Sequence, residues 1–206
     1  AGGDGDEITL RRNRTAFDEI VINPRFLVDP GQRDMSTTVL GTRIELPIMA
    51  APLGVQWEVH PDGAVPVAKA TGEVGTIMGL ATGSSNTIRE VADSTPGPWW
   101  QQLYHVDDEI TELLVTRAEA AGFSAVCLTI DGVGGRVREK DLRNNFQVQP
   151  GKGSAELRDR PNLLDKVRSR RDRPRLTWSR LAWLKSLSSM PLVVKGILTV
   201  HDALQS

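Results

Sequence analysis

Cysteine is almost missing from this chain of 206 residues: Cys127 is the only one, so no internal disulfide can form. It sits in the apolar run Val126-Cys127-Leu128, where a thiol acts as a small hydrophobe. Such usage points to a reducing compartment, and a cytoplasmic location is expected. An excess of one charge is missing too. The 25 basic and 26 acidic residues argue against a general polyanion-binding surface. No apolar stretch approaches the roughly 20 residues of a membrane span, and no signal-peptide pattern is visible. Neither a membrane nor a nucleic acid is expected as partner. The basic run over residues 166–175 has no interleaved aromatics and reads as a solvated loop. No metal-ligand cluster and no acid pair stand out. No G-x-G-x-x-G follows the first apolar strand, which weakens a dinucleotide-binding sheet. The first residue is not Met, so the start is expected to be processed or the chain to be a piece of something longer.

What is present is a rhythm of apolar strand, polar tip and helix. Apolar runs over 47–51, 76–80, 99–104, 125–130 and 191–194 read as strands of a parallel core. Helical spacing over 62–73, 87–92, 107–121, 178–187 and from 199 onward separates them or follows them. Before these, residues 10–20 read as a short helix or turn, and 37–46 as a hairpin with Gly41-Thr42 at its turn. Repeated strand–helix units mean a parallel α/β sheet, either open and doubly wound or closed as a (β/α)₈ TIM barrel. The barrel is preferred. Five strands cannot close one, so about five of eight are expected here. The whole of 1–206 is expected to be one domain, with 147–175 a mobile loop over the barrel mouth.

In a barrel the carboxyl ends of the strands share one face, and that face holds the site. Read in order, the tips carry Gly54, Ala81-Thr82, Gln102, Tyr104, Thr129, Arg138 and Lys195. The fourth strand runs into Thr129-Ile130-Asp131, then glycines 132, 134 and 135 and arginines 136 and 138. An amide, a phenol, a hydroxyl, a guanidinium and an ammonium suit an anionic substrate beside a ring with hydrogen-bonding edges. Gln102 and Tyr104 are two apart on a strand and share a face. Lys195 ends an apolar strand, which is costly without a negative partner.

These residues stand within longer segments: TLRRNRTAFDEI, NPRFLVDP, DMSTTVLG, PIMAAPLG, GTIMGLATGSS, QLYHVDD, RAEAAGFSAVCLTID, REKDLRNNF, TWSRLAWL and PLVVKGILTVHDA. In this order and spacing the chain resembles the FMN-dependent 2-hydroxy acid dehydrogenases and oxidases, the group of glycolate oxidase, lactate oxidase and mandelate dehydrogenase. The resemblance covers all 206 residues and implies the following. The Pro52-Leu53-Gly54 backbone lies along the flavin ring, near Ala81. Gln102 and Thr129 bond the ring's polar edge, and Lys195 stabilises negative charge on the reduced FMN. Tyr104 bonds the substrate, and Arg138 clamps its carboxylate through a planar, bidentate guanidinium. The implied reaction is oxidation of an L-2-hydroxy acid to a 2-oxo acid.

Departures from the family pattern are informative. Serine is usual at Ala81, so a hydroxyl contact near the flavin is expected to be lost; a large aromatic residue occurs in some members at Gly83, so a roomier pocket is expected. Glycine at position 54 leans against a simple oxidase. The family's amino-terminal tyrosine, its catalytic histidine and its phosphate site are expected before Ala1 or beyond Ser206, making the chain truncated at both ends. The three histidines, His60, His105 and His201, are not expected to replace that base. The first reading is therefore a part of an FMN-dependent hydroxy acid dehydrogenase, its full-length parent often homotetrameric in the family. The alternatives are a non-catalytic truncated barrel fragment and a different barrel enzyme acting on a phosphate-bearing substrate.

Overall fold

The computed structural model describes residues 2–29, 31–132, 137–148, 152–169 and 176–206, with 168 and 169 described by backbone alone. Gly134, Gly135 and Arg136, and residues 149–151 and 170–175 of the expected loop, lie outside the described residues. Where one domain over 1–206 is expected, the chain divides into two compact units: 1–34 with 133–149, and 35–132 with 150–206.

The first unit holds helix α1 (Ile8–Thr15), a following 3₁₀ turn, and the later helix α5 (Glu139–Arg143). Its two segments are joined by hydrogen bonds: the Gly5 N–H donates to the Val137 carbonyl, and the Gly2 N–H donates to the Asp141 side chain at Oδ1.

The second unit opens with the hairpin of β1 (Thr37–Val39) and β2 (Thr42–Ile44). Its turn is Leu40-Gly41, one residue earlier than expected, with φ of 48° and 80°. Two consecutive positive φ angles match the twist of the flanking strands. Then come α2 (Val65–Val74), β3 (Met78–Leu80), α3 (Ile88–Ser94), β4 (Trp99–Leu103), α4 (Asp108–Ala120) and β5 (Ala125–Thr129). After the first unit's α5 the chain continues with α6 (Pro161–Ser169), α7 (Trp178–Ser186), β6 (Leu192–Lys195) and α8 (Val200–Gln205). The sheet order is β3-β4-β5-β6, all parallel, as the strand–helix rhythm predicts.

Local chemistry explains the helix boundaries. Thr87 and Glu90 form a capping box: Thr87 Oγ1 accepts from the Glu90 N–H, and Glu90 Oε2 from the Thr87 N–H. Asp107 Oδ1 accepts from the N–H groups of Glu109 and Ile110 and starts α4. Ile110, Leu114, Val115 and Ala118 then recur at helical spacing and are buried.

Alternation divides each strand between two layers. Met78, Leu80, Trp99, Leu103, Val126 and Leu128 enter one apolar core with Ala68, Val91, Ile110, Leu114 and Leu184 of the helices. Each fully buried aliphatic chain contributes about 1.5–3 kcal/mol. The other face carries Gly79, Trp100, Gln102, Cys127, Thr129 and Lys195. Trp99 packs in the helix-side core against Phe123, ring centroids 5.5 Å apart.

Two expectations need correction. The strand over 47–51 shrinks to one bridge, Ala50 with Met78. Ala50 still donates to Ile77 and accepts from Gly79, but Pro47 and Pro52 have no N–H with which to extend the ladder. The described part of 147–175 is not all loop. Residues 155–157 form a buried turn, and α6 buries Leu163 in the core with Leu164 and Val167 against it. The leucine spacing after Pro161 was the available signal, masked by the surrounding charge.

Gly79 sets how the sheet receives the segment after Ala50. A Cβ there would lie 2.8 Å from Pro52 Cδ and 3.0 Å from its backbone nitrogen. Gly79→Val is expected to cost about 1–3 kcal/mol, as overpacking against rigid neighbours does. Urea unfolding should show a lower midpoint with unchanged slope. An unchanged midpoint would mean that Pro52 does not lie on this face.

Candidate active site

The carboxyl ends of β3, β4, β5 and β6 come together in register. Gln102 pairs with Cys127, and Thr129 with Lys195. Gln102 is 2% exposed, and its carboxamide bridges two neighbouring tips. Oε1 accepts from the Thr82 N–H at 3.0 Å, and Nε2 donates to Thr129 Oγ1 at 2.8 Å. The Thr82 hydroxyl donates to the Gln102 carbonyl at 2.6 Å, and the Tyr104 N–H reaches the same hydroxyl at 3.3 Å. The carboxamide orientation is therefore fixed by its partners, a donor on one side and a hydroxyl on the other.

Tyr104 follows the end of β4 and is 43% exposed. Its ring lies beside Gly132, where a Cβ would sit 3.4 Å from Tyr104 Cε1. Lys195 ends β6, and its ammonium lies 3.8 Å from Asp131 Oδ1. This is the negative partner expected for a lysine at the end of an apolar strand, although neither side chain is buried. Both side chains are about two-fifths exposed and the contact is long, so it contributes under about 1 kcal/mol and leaves Lys195 able to meet another anion. Asp131 was passed over as a site residue in the sequence. Its place one residue beyond Thr129-Ile130, at a strand tip, was the signal.

Pro52 packs on Gly79, which brings Leu53 and Gly54 to the same edge of the sheet. Leu53 is 57% exposed, and a Cβ at Gly54 would meet nothing within 4 Å. Ala81 is buried at the end of β3, and Gly83 likewise borders open space. Cys127 lies below the tips, 6% exposed. Burial pushes its thiol pKa up while nearby Lys195 pulls the other way. That environment suits packing, not a thiolate nucleophile.

Arg138 belongs to the other unit, where it stands at the N-cap position of α5 without a side-chain capping hydrogen bond, and its guanidinium lies 3.9 Å from the Asp141 carboxylate. The histidines take other roles. His60 Nδ1 accepts from the Asp62 N–H within a turn. His105 turns away from the tips into the helix layer, and His201 is exposed on α8. Among the described residues no cluster of His, Cys, Asp and Glu is arranged to hold a metal ion.

A family model described as FMN-dependent dehydrogenase matches residues 1–206. The chain belongs to the FMN-dependent dehydrogenase family. It is 42% identical over 215 residues to glycolate oxidase 1 of Oryza sativa subsp. indica, covering 98% of this chain and 58% of that protein. Identity to an L-lactate oxidase of a Nostoc species is also 42%, over 216 residues, with 98% and 59% covered. Among solved structures, a soluble mutant of the membrane-associated (S)-mandelate dehydrogenase from Pseudomonas putida superposes with a TM-score of 0.88 at 30% identity, covering 98% of this chain and 59% of that one. A lactate oxidase structure from Pediococcus acidilactici gives 0.87 at 29% identity. The chain thus spans about three-fifths of the length of these relatives, and its parallel sheet with flanking helices is the corresponding part of their TIM barrel. No described helix is long and apolar enough to cross a membrane.

The Gln102 bridge can be tested without any ligand. Gln102→Leu leaves the Thr82 N–H and the Thr129 hydroxyl buried without a partner. It should cost about 2–6 kcal/mol in denaturant unfolding, about 1–3 kcal/mol for each group. A neutral result would mean that solvent satisfies both groups and that the tips are open.

Proposed function

We propose that the protein containing this chain oxidises an L-2-hydroxy acid to a 2-oxo acid with FMN as cofactor. One observation carries the reading: a buried, fully oriented Gln102–Thr129 pair stands at the strand tips between an apolar edge and a cation. Gln102 Nε2 carries two N–H groups, of which Thr129 takes one, so the second and the Thr129 hydroxyl proton remain to meet a ring's carbonyl and nitrogen edge. The exposed Leu53 with the open backbone at Gly54 offers a flat neighbour for a ring face. Lys195, only loosely held by Asp131, supplies positive charge beside that edge. This donor set fits a flavin ring. When bound, FMN supplies the two-electron acceptor.

The chain's own residues do the rest. Tyr104 hydrogen-bonds the substrate, and Arg138 pairs with its carboxylate, fixing the carbon that is oxidised. Lys195 holds negative charge where it develops. His105 faces the helices and is not placed to accept the substrate's proton. The small Gly83, with nothing within 4 Å of an added Cβ, leaves room for a bulky 2-substituent. The reading extends to a small-molecule hydroxy acid as the substrate, and to a cytoplasmic, homotetrameric parent. The single buried cysteine supports the first of these two features and the family resemblance the second.

The test is flavin reduction. The protein containing this chain, loaded with FMN and titrated without oxygen with L-lactate, glycolate or (S)-mandelate, should lose its visible flavin absorbance with at least one of them. Arg138→Lys should lower kcat/KM about 10–100-fold, since a charged bidentate contact is worth about 1.5–3 kcal/mol. Residues 1–206 alone should show no bleaching. An unreactive flavin with all three acids would overturn the reaction, and an unaffected Arg138→Lys variant would overturn the carboxylate clamp.

A further inference from the structure

His105 follows Tyr104, yet its imidazole is 3% exposed and points into the helix layer between α4 and α7. Thr111 on α4 donates its one hydroxyl proton to the Asp107 carbonyl at 2.8 Å. At 3.1 Å from His105 Nδ1, the same hydroxyl therefore accepts, and Nδ1 carries the ring proton. The lone pair is then on Nε2, which faces Arg180 Nη2 of α7 at 3.4 Å. Arg180 is itself held by an ion pair with Asp108 and lies over the Trp183 ring, 4.2 Å from its centroid. Trp183 meets the imidazole edge-on at 5.7 Å. The ring is thus fixed by hydrogen bonds to two helices and by an aromatic wall.

We propose that His105, held as the neutral Nδ1–H tautomer between Thr111 and Arg180, is a positioning residue that sets the place of the Tyr104 phenol. The strand tip is pinned on both sides: Thr82 holds the Tyr104 N–H, and the next side chain is locked behind the sheet. Any displacement of the imidazole passes through one peptide unit to Tyr104. Its functional meaning rests on the reading of Tyr104 as the substrate-facing residue; the mechanical link does not.

Protonation is the natural perturbation. An Nε2–H would point a donor at the Arg180 guanidinium, while Asp108 Oδ1, 3.5 Å away, would compete for it. The charged groups facing the ring are Asp107 and Asp108 of α4 and Arg180 of α7; Lys166 of α6 neutralises Asp107 at 2.9 Å. Burial first, then Arg180, lowers the His105 pKa below the ordinary value, with Asp108 and Asp107 opposing. A histidine with a depressed folded pKa contributes stability that is complete above about pH 6.5. That contribution is lost as pH falls through the folded value.

Tyr104 is the only tyrosine, and there are three histidines, so isotope-labelled NMR reads both partners directly. With ¹³C-tyrosine and ¹⁵N-histidine in the chain, His105 should show the Nδ1–H tautomer, and the Tyr104 ring signal should shift with the midpoint of the His105 titration. His105→Gln should abolish that shift, whereas His201→Gln should keep it. Should His105→Gln fail to fold, the wild-type titration and Thr111→Val, which removes the acceptor, decide. A Tyr104 signal flat across the His105 titration, or an Nε2–H tautomer, would overturn the proposal. In the FMN-loaded parent, His105→Gln should lower kcat/KM roughly tenfold or more. If Tyr104 follows His105 but the wild type turns over no hydroxy acid, the proposed function fails and the link stands. If the wild type turns over and Tyr104 ignores His105, the link fails alone.

Discussion

The site depends on one buried carboxamide. Gln102 is almost sealed from solvent, and a sealed amide must place every polar atom against a partner or lose about 1–3 kcal/mol for each unmet group. Its partners are the backbone of Thr82 after β3 and the hydroxyl of Thr129 at the end of β5. Strands therefore cannot slide without breaking hydrogen bonds at their tips. Tyr104 and Lys195 inherit their positions from this constraint, one through the Thr82 hydroxyl and one through its register with Thr129.

The two faces of each strand divide the work. Leu80, Leu103 and Leu128 anchor the sheet to α2–α4 and α7 on the helix side. Gly79, Gln102, Cys127 and Thr129 on the other side are small or polar. They contribute little burial energy but leave room and directed donors. A core that supplies most of the stability elsewhere allows this face to be kept for chemistry. The same logic explains His105. It sits among helix residues because alternation sends it there, and that places a titratable ring directly behind a tip residue.

Much of this was legible in the sequence because strand–helix alternation and helix caps are local. Asp107 and Thr87 mark helix starts, and the apolar runs ending at Leu80, Tyr104 and Ile130 mark strands whose observed ends lie within one residue of these. Gln102, Tyr104, Thr129 and Lys195 followed from counting to the carboxyl end of each run; Arg138, in the other unit, did not. Nonlocal effects were not legible. The 47–51 run has strand composition, but its flanking prolines leave a single bridge at Ala50. Helix α6 was obscured because its few apolar residues count only once Leu163 finds the core. The Gln102–Thr129 contact joins residues 27 apart, and the Lys195–Asp131 contact joins residues 64 apart. Neither spacing is a motif.

Under the proposed function, the Gln102–Thr129 pair bonds the polar edge of a flavin ring, beside Lys195. A crystal structure of the parent protein with FMN and a 2-oxo acid bound tests this most directly. The expected result is the ring edge within hydrogen-bonding distance of Gln102 Nε2 and Thr129 Oγ1. Lys195 should lie beside the ring, with Tyr104 and Arg138 on the acid. A flavin seated elsewhere, or one whose polar edge turns away from Gln102, would contradict it.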